Sequence, residues 1–571
     1  MRLPRIELPL IPLLRGFSRA ALVRDIGAGA TVGVILVPQG MAYALIAGVP
    51  PIYGLYTALV PVIVYALAGS SRHLQVGPAA ILSLIVASGI TPIAGNDPAR
   101  YLSLAILLSL MAGVIQFSMG AARMGFLANF LSHPVLRGFT MAAAIVIGLT
   151  QLEHLLGIEV ARSSLVSRMI KEALDHVAST DGATVAISIA CIVTLAVLSR
   201  WNRHIPGALI VVGLSTAVVW IFGLDQNGVH TVGRVPSGLP HLDIPDWSLT
   251  DVQRLIPAAL TVAFIGLMDS TAVAKVYASR FRYRLDSGQE FMALGLANIF
   301  GSFFQAIPAE GGFARTAVSV RSGAASTLSN LASAIVVAVT LIFLTPLFVY
   351  LPNAALAAII VVAVTGLLNT DEVKFLWRTD RLDFYLMIVT FFATLILGVE
   401  EGILVGITSS LLLVIYQSSR PHTAITGRLP GTSVYRNVER HPDALVTAAV
   451  VVYRLDASLY FANAPVFRDQ IEDIVSDDRE VRIIIIDAYP INRIDATGAQ
   501  MLHELIVDLR SRQVEVLFAG VKGPVMDVLE PAGIVDLVGR EHFFSEIRFA
   551  MDAAEDILHG TSQPVGAAPS P

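Results

Sequence analysis

Charge is scarce in this 571-residue chain. Asp, Glu, Lys and Arg together make up 15% of it, where a soluble protein carries about 25%. They thin out between about residues 25 and 420 and return after that. One cysteine, Cys191, excludes an intramolecular disulfide and any cysteine-based metal site. In the apolar run 185–198 it reads as a small buried or lipid-facing hydrophobe. The 12 histidines show no ligand spacing. No nucleophile–base pair and no phosphate loop is present, so an enzyme is not expected. No motif for a cofactor, metal or nucleic acid stands out, and none of these partners is expected. A cleavable signal peptide is also missing: Arg2, Arg5, Arg15, Arg19 and Arg24 flank only short apolar pieces, and no small-residue cleavage site follows. Residues 1–23 read as a cytoplasmic segment in which 8–17 lies along the membrane surface.

Apolar residues are what the chain does have. They make up 55% of it, with a mean hydropathy of +0.69, which describes a polytopic membrane protein embedded in a lipid bilayer. The net charge of −5 averages over two unlike parts and says little about partners. Runs suited to membrane helices fall near 25–47, 53–69, 78–90, 99–120, 125–151, 183–200, 206–223, 252–274, 288–304, 313–322, 326–350, 353–369, 382–398 and 400–419. Those opening at Pro78 and Phe313 are too short to cross about 30 Å of hydrocarbon at 1.5 Å per residue. With a cytoplasmic N-terminus, the inside loops collect Arg72, Arg123, Arg200, Arg203, Lys275, Arg280, Arg282, Arg284, Arg321, Lys374, Arg378, Arg381 and Arg420. The long outside loops 152–182 and 224–250 hold fewer basic residues, Arg162, Arg168 and Lys171 among them. This bias predicts both termini in the cytoplasm.

The short runs sit at matching places. A long helix near Asp25 is followed by a short one after a Gly-Pro break. A second long helix near Val252 is followed by a short one after residues 308–312. Such pairing points to inverted repeats, about 24–223 and 252–420, within a transport domain 24–420, with the site at the breaks. Seven spans per half force the halves to be inverted. Ordinary Pro and Gly kinks are the other reading.

Three segments carry a resemblance: 38–44, 51–72 and 76–80. The spacing of Tyr53, Gly54, Leu55, Tyr56, Gly69, Ser70, Ser71 and Arg72 resembles the transport signature of the sulfate permease (SulP) family of anion transporters, which includes the solute carrier 26 proteins and prestin. The resemblance covers about residues 10–557. It implies a core of spans 1–4 and 8–11 moving against a gate of spans 5–7 and 12–14. It also implies a homodimer, and for a bacterial member a place in the inner cell membrane. Sulfate, bicarbonate and C4-dicarboxylates are all substrates within the family. An anion channel or uncoupled conduit on the same fold, a Na⁺-coupled bicarbonate symporter, and an anion-triggered sensor are the alternatives to a proton-coupled symporter.

An anion transporter has to replace hydration without a permanent trap. Two short helices whose N-termini face each other do this with free N–H groups and partial positive charge. The resemblance places those termini at Ala79 and Ala80 and at Gly312, Phe313 and Ala314. It also puts Gln39 and Tyr43, one helical turn apart, on the wall of the pocket; from chemistry alone a glutamine satisfied between helices has equal weight, and the resemblance decides for the pocket. Asp269 is the only carboxylate in the run 255–273, and an intramembrane acid is a functional candidate. It has three open roles: proton coupling, ligation of Na⁺, or ion pairing with Arg315. Arg315 and Thr316 match the family pattern Ser-(Phe/Leu)-Ser-Arg-(Ser/Thr), but Gly312 and Ala314 lack its two serines. That leaves backbone N–H groups and the guanidinium as donors, with Thr316 beside Asp269 in the coupling region. Glu310 reads as a gate, a proton carrier or, preferred, exterior loop.

After Arg420 strands (444–453, 481–487, 514–519) alternate with amphipathic helices (466–475, 498–510, 523–530, 544–558), predicting a small α/β domain over 434–558 and a disordered tail, 559–571. The loop at Asp495, Ala496, Thr497 and Gly498 resembles that of STAS domains, in which the third residue is phosphorylated in soluble relatives. Thr497 is thus a regulatory candidate, while helix capping by Asp495 and Thr497 is the simpler reading.

Overall fold

The computed structural model describes residues 19–95, 97–124, 132–158, 166–201, 206–244, 248–368, 370–477 and 480–559. The surface segment at 8–17 and the tail from 560 lie outside these. The chain divides into two compact units, one up to Ser410 and one from Leu411.

Among the described residues each of the fourteen apolar stretches overlaps a helix, the last of these helices, Val399–Ser419, running past Ser410. Among the described residues, 9 helices are long and apolar enough to cross a membrane. The elements that build the site are α1 (Arg19–Ala47), α2 (Val60–Ala68), β1 (Val76–Pro78), α3 (Ala80–Ala94) and α4 (Pro98–Ala121). Their counterparts in the second half are α5 (Leu249–Arg280), α6 (Ser287–Ser302), β2 (Ala309–Gly311), α7 (Phe313–Arg321) and α8 (Leu328–Val339). Each half thus runs long helix, second helix, short strand, half-helix, further helix. Partners are exchanged between halves: α1 packs most extensively on α8, and α4 on α6.

Small residues allow these approaches. A Cβ on Gly29 would meet the Ser329 carbonyl at 2.2 Å, and one on Gly33 the Val336 Cβ at 2.7 Å. These two glycines lie on one face of α1 and bring its backbone against α8. The signature Gly54 has the same reason: its Cβ would lie 1.9 Å from the Gly40 carbonyl oxygen.

Two other signature residues, Ser70 and Ser71, answer to one carboxylate. Glu290 of α6 is fully buried. It accepts from Ser70 N (3.0 Å), Ser70 Oγ (2.6 Å) and Ser71 N (3.1 Å), and the Tyr65 hydroxyl also donates to it. A buried carboxylate is tolerated only with such partners. Glu290 fixes the turn after α2 and so sets where β1 begins.

The second unit has a six-stranded sheet in the order β4 (Tyr435–Asn437), β3 (Thr423–Arg428), β5 (Val450–Leu455), β6 (Ile483–Asp487), β7 (Glu515–Ala519) and β8 (Phe543–Phe544). From β5 to β8 the pairing is parallel. The sheet opens at Thr423, ahead of the expected 434, because β3 pairs antiparallel with β5 on one side and with the edge strand β4 on the other. Helix α9 (Ala496–Ser511) follows β6 and buries Leu502, Leu505, Ile506 and Leu509 on the sheet side.

Candidate functional site

The two breaks are one structure. β1 and β2 pair antiparallel, Val76 opposite Gly311, Gly77 opposite Glu310 and Pro78 opposite Ala309. Side chains from four helices hold this ribbon. Asn298 Oδ1 accepts from Ala309 N at 2.8 Å, and its Nδ2 donates to Ala309 O at 3.1 Å and Gln116 Oε1 at 2.9 Å. Asn330 Nδ2 donates to Leu74 O at 2.8 Å. Ser270 Oγ accepts from Gly311 N at 2.8 Å. Buried backbone groups outside regular structure need such partners.

Each strand hands over to a helix with no side-chain cap: Ala79 precedes α3 and Gly312 precedes α7. Leading N–H groups of both helices are left without a capping side chain, with about half an elementary charge of positive dipole at each end. Ala79 is buried, Ala80 half-buried, and Phe313 and Ala314 are exposed, Phe313 at 59%. The second terminus is therefore the more exposed of the two.

Arg315 is only 5% exposed. Its Nη1 donates to Pro78 O at 2.7 Å, and its Nη2 to Gly77 O and Glu310 O, each at 3.3 Å. Nε–H is buried with no partner among the described residues. A guanidinium carries five N–H donors, so the three carbonyls orient it and leave donors over. A Cβ on Gly312 would lie 2.7 Å from the Arg315 Cζ. The space that a serine side chain would take at 312 is thus occupied by the guanidinium itself.

Gln39 and Tyr43 sit half-buried on one face of α1. Gln39 Oε1 is buried without a partner among the described residues, so the glutamine satisfied between helices is not what is found. The Tyr43 phenol lies near enough to Arg315 and Glu310 to feel both charges. Thr316 is buried, and its hydroxyl is committed: it donates to Gly312 O at 2.7 Å and accepts from Gln75 N at 3.0 Å. It joins the two breaks.

Asp269 is half-buried on α5, with no hydrogen bond or ion pair among the described residues. The pairing with Arg315, one of its three open roles, is not formed among the described residues. The guanidinium has turned onto the ribbon carbonyls, and the cation acting on Asp269 is Arg137, which pairs with Glu372 at 2.9 Å. Glu310 is likewise not exterior loop: it is 4% exposed because β2 runs through the core. Sequence reasoning missed Glu290, Asn298 and Asn330; apart from Ala309, 11 residues from Asn298, their partners named here lie far away in the chain.

In the second unit Asp495 Oδ1 accepts from Gly498 N at 2.7 Å and caps α9 alone. Thr497 is exposed inside the first turn and makes no capping bond. The shared capping role does not hold for it.

Residues 22–390 match the sulfate permease family, and residues 436–550 match the STAS domain. The chain is 38% identical over 545 residues to the Arabidopsis thaliana protein named Sulfate transporter 4.1, chloroplastic, covering 92% of this chain and 79% of that one. It is 31% identical over 565 residues to High affinity sulfate transporter 2 of Stylosanthes hamata, covering 95% and 85%. The structure of the murine solute carrier 26 member A9 anion transporter, in its inward-facing state, matches with a TM-score of 0.88 at 26% identity, covering 96% of this chain and 94% of that one. By fold, paired breaks and these relationships, the chain belongs to the sulfate permease family of multi-pass membrane anion transporters and carries a C-terminal STAS domain.

Proposed function

We propose that this chain moves a small divalent oxyanion, sulfate first, into the cell together with protons. The observation that carries this is Arg315: a guanidinium buried at the junction of two uncapped helix N-termini, oriented by three carbonyls and with donors to spare. An oxyanion there meets charge-assisted donors and two helix dipoles, which together replace its water. The names of the relatives favour sulfate. Gln39 and Tyr43 line the approach, Ala79, Ala80, Gly312, Phe313 and Ala314 offer backbone, and Thr316 keeps the two termini in register. Asp269, a lone carboxylate on α5, is the coupling group. Thr497 is a regulatory position rather than part of transport. Placement in the cell membrane with both termini cytoplasmic, and a homodimer, belong to the same reading.

The test is uptake of labelled sulfate, bicarbonate and fumarate into proteoliposomes under imposed pH and Na⁺ gradients. Saturable sulfate uptake driven by an inward proton gradient supports the reading. Bicarbonate uptake that requires Na⁺ replaces it with a sodium symporter, and unitary currents replace it with a channel.

A further inference from the structure

Glu310 is a buried carboxylate at the site that the mechanism above leaves unused. Its Oε2 is buried without a hydrogen-bond partner among the described residues. Its backbone is pinned by the strand register with Gly77, by Asn298 on Ala309, by Ser270 on Gly311 N, and by Arg315 on its own carbonyl. The side chain therefore stays at the ribbon.

The groups around it come from every packed element. Gly77 of β1 offers no side chain, and a Cβ there would lie 3.8 Å from Arg315 Cζ. A Cβ on Gly266 of α5 would be 3.8 Å from the Glu310 Cβ and 3.2 Å from Gln116 Nε2 of α4. Asn298 of α6 is spent on Ala309 and Gln116. Asp269 of α5 and Arg315 of α7 act on Glu310 through their charges, and Tyr43 of α1 feels the charge of both Arg315 and Glu310. Arg137, which acts on Asp269, is matched by its own partner Glu372, so the unmatched charged set is one guanidinium and two carboxylates.

That count decides what can bind. With both carboxylates ionised the set is net negative and repels a dianion, strongly in a low-dielectric interior. One proton, on Asp269, brings it to neutrality. A second proton leaves the guanidinium in charge, with both helix dipoles acting in the same direction. A protonated carboxyl also donates an O–H bond, which a site without serines at 312 and 314 otherwise lacks. We propose that Glu310 is a second proton carrier of the transport cycle, loaded from the outer side together with Asp269 when the dianion binds and unloaded inside. One sulfate then crosses with two protons, and no net charge moves. This rests on the proton-coupled reading of Asp269.

The experiment is proton-to-sulfate stoichiometry in proteoliposomes, read from the pH gradient that just balances a sulfate gradient, with the membrane potential clamped by K⁺ and valinomycin. Wild type is expected to give a ratio of two and uptake indifferent to potential. Glu310→Gln is expected to give a ratio of one and uptake accelerated by an inside-positive potential, while Glu310→Asp keeps the ratio of two. A wild-type ratio of one overturns the role of Glu310 without touching Asp269, and does so even if no variant folds. A Glu310→Gln protein that keeps the ratio of two overturns it as well. Sulfate uptake blind to pH overturns both readings together.

Discussion

Arg315 Nη1 lies 2.7 Å from the carbonyl oxygen of Pro78. A side chain of the second break is thereby anchored on the backbone of the first, at the point where α3 begins. The proposed anion site and the joint between the two inverted halves are the same set of atoms.

Substitution of this arginine separates its two duties. Arg315→Ala removes the cation and leaves the Pro78, Gly77 and Glu310 carbonyls without their donor. Sulfate affinity should fall by at least tenfold, about 1.4 kcal/mol, and further if a fully desolvated charge-assisted bond is lost. Arg315→Lys keeps the charge but not the fork, so it should recover only part. Binding measured on detergent-purified protein that elutes as a single species checks this; wild-type affinity in Arg315→Ala would exclude the guanidinium from the site.

Glu290 should matter for stability rather than for substrate. Glu290→Ala strands the Tyr65 hydroxyl and the Ser70 and Ser71 amides, each at about 1–3 kcal/mol when buried. The melting temperature of the purified protein should drop clearly, and expression with it. An unchanged melting temperature would mean that the turn after α2 does not need the carboxylate.

Gly54→Ala places a methyl group 1.9 Å from the Gly40 carbonyl oxygen. Backbone has to move, at about 1–3 kcal/mol or more, and α1 moves with it, carrying Gln39 and Tyr43. Both thermal stability and sulfate affinity should fall. A loss of stability with affinity intact would show that the α1 face is not part of the pocket.

Much of this was legible in the sequence because the bilayer imposes it. Among the described residues the fourteen apolar runs fall on helices, since the backbone in lipid has to satisfy itself. The breaks at Pro78 and Phe313 showed as runs too short to span. What stayed hidden depends on distance along the chain. Glu290 and Ser70 are 220 residues apart, and no local pattern links them. The position of Arg315 is set by an absent side chain at Gly312, and that of Glu310 by strand pairing with Gly77; three-residue strands leave little periodicity to read. In the second unit β3 was missed for the same reason of context: its partner, β5, begins at Val450, later than the apolar run at 444 suggested.

Thr497 and Asp495 should respond differently. Asp495→Ala removes the cap of α9 at a cost of about 1 kcal/mol, visible as faster amide exchange at Ala496, Thr497 and Gly498. Thr497→Ala leaves that bond in place and should change neither exchange nor basal sulfate uptake. Slower basal uptake in Thr497→Ala would move this residue from regulation into the transport cycle.

The central claim is that Asp269 couples a proton gradient to anion uptake at the Arg315 site. Its most direct test is initial sulfate uptake in Na⁺-free proteoliposomes with an imposed inward proton gradient. Wild type should accelerate several-fold over the pH-matched control. Asp269→Asn should lose that acceleration yet still exchange labelled for unlabelled sulfate at equilibrium. Acceleration that survives in Asp269→Asn, or wild-type uptake that ignores the proton gradient and starts only on adding Na⁺, would contradict the account.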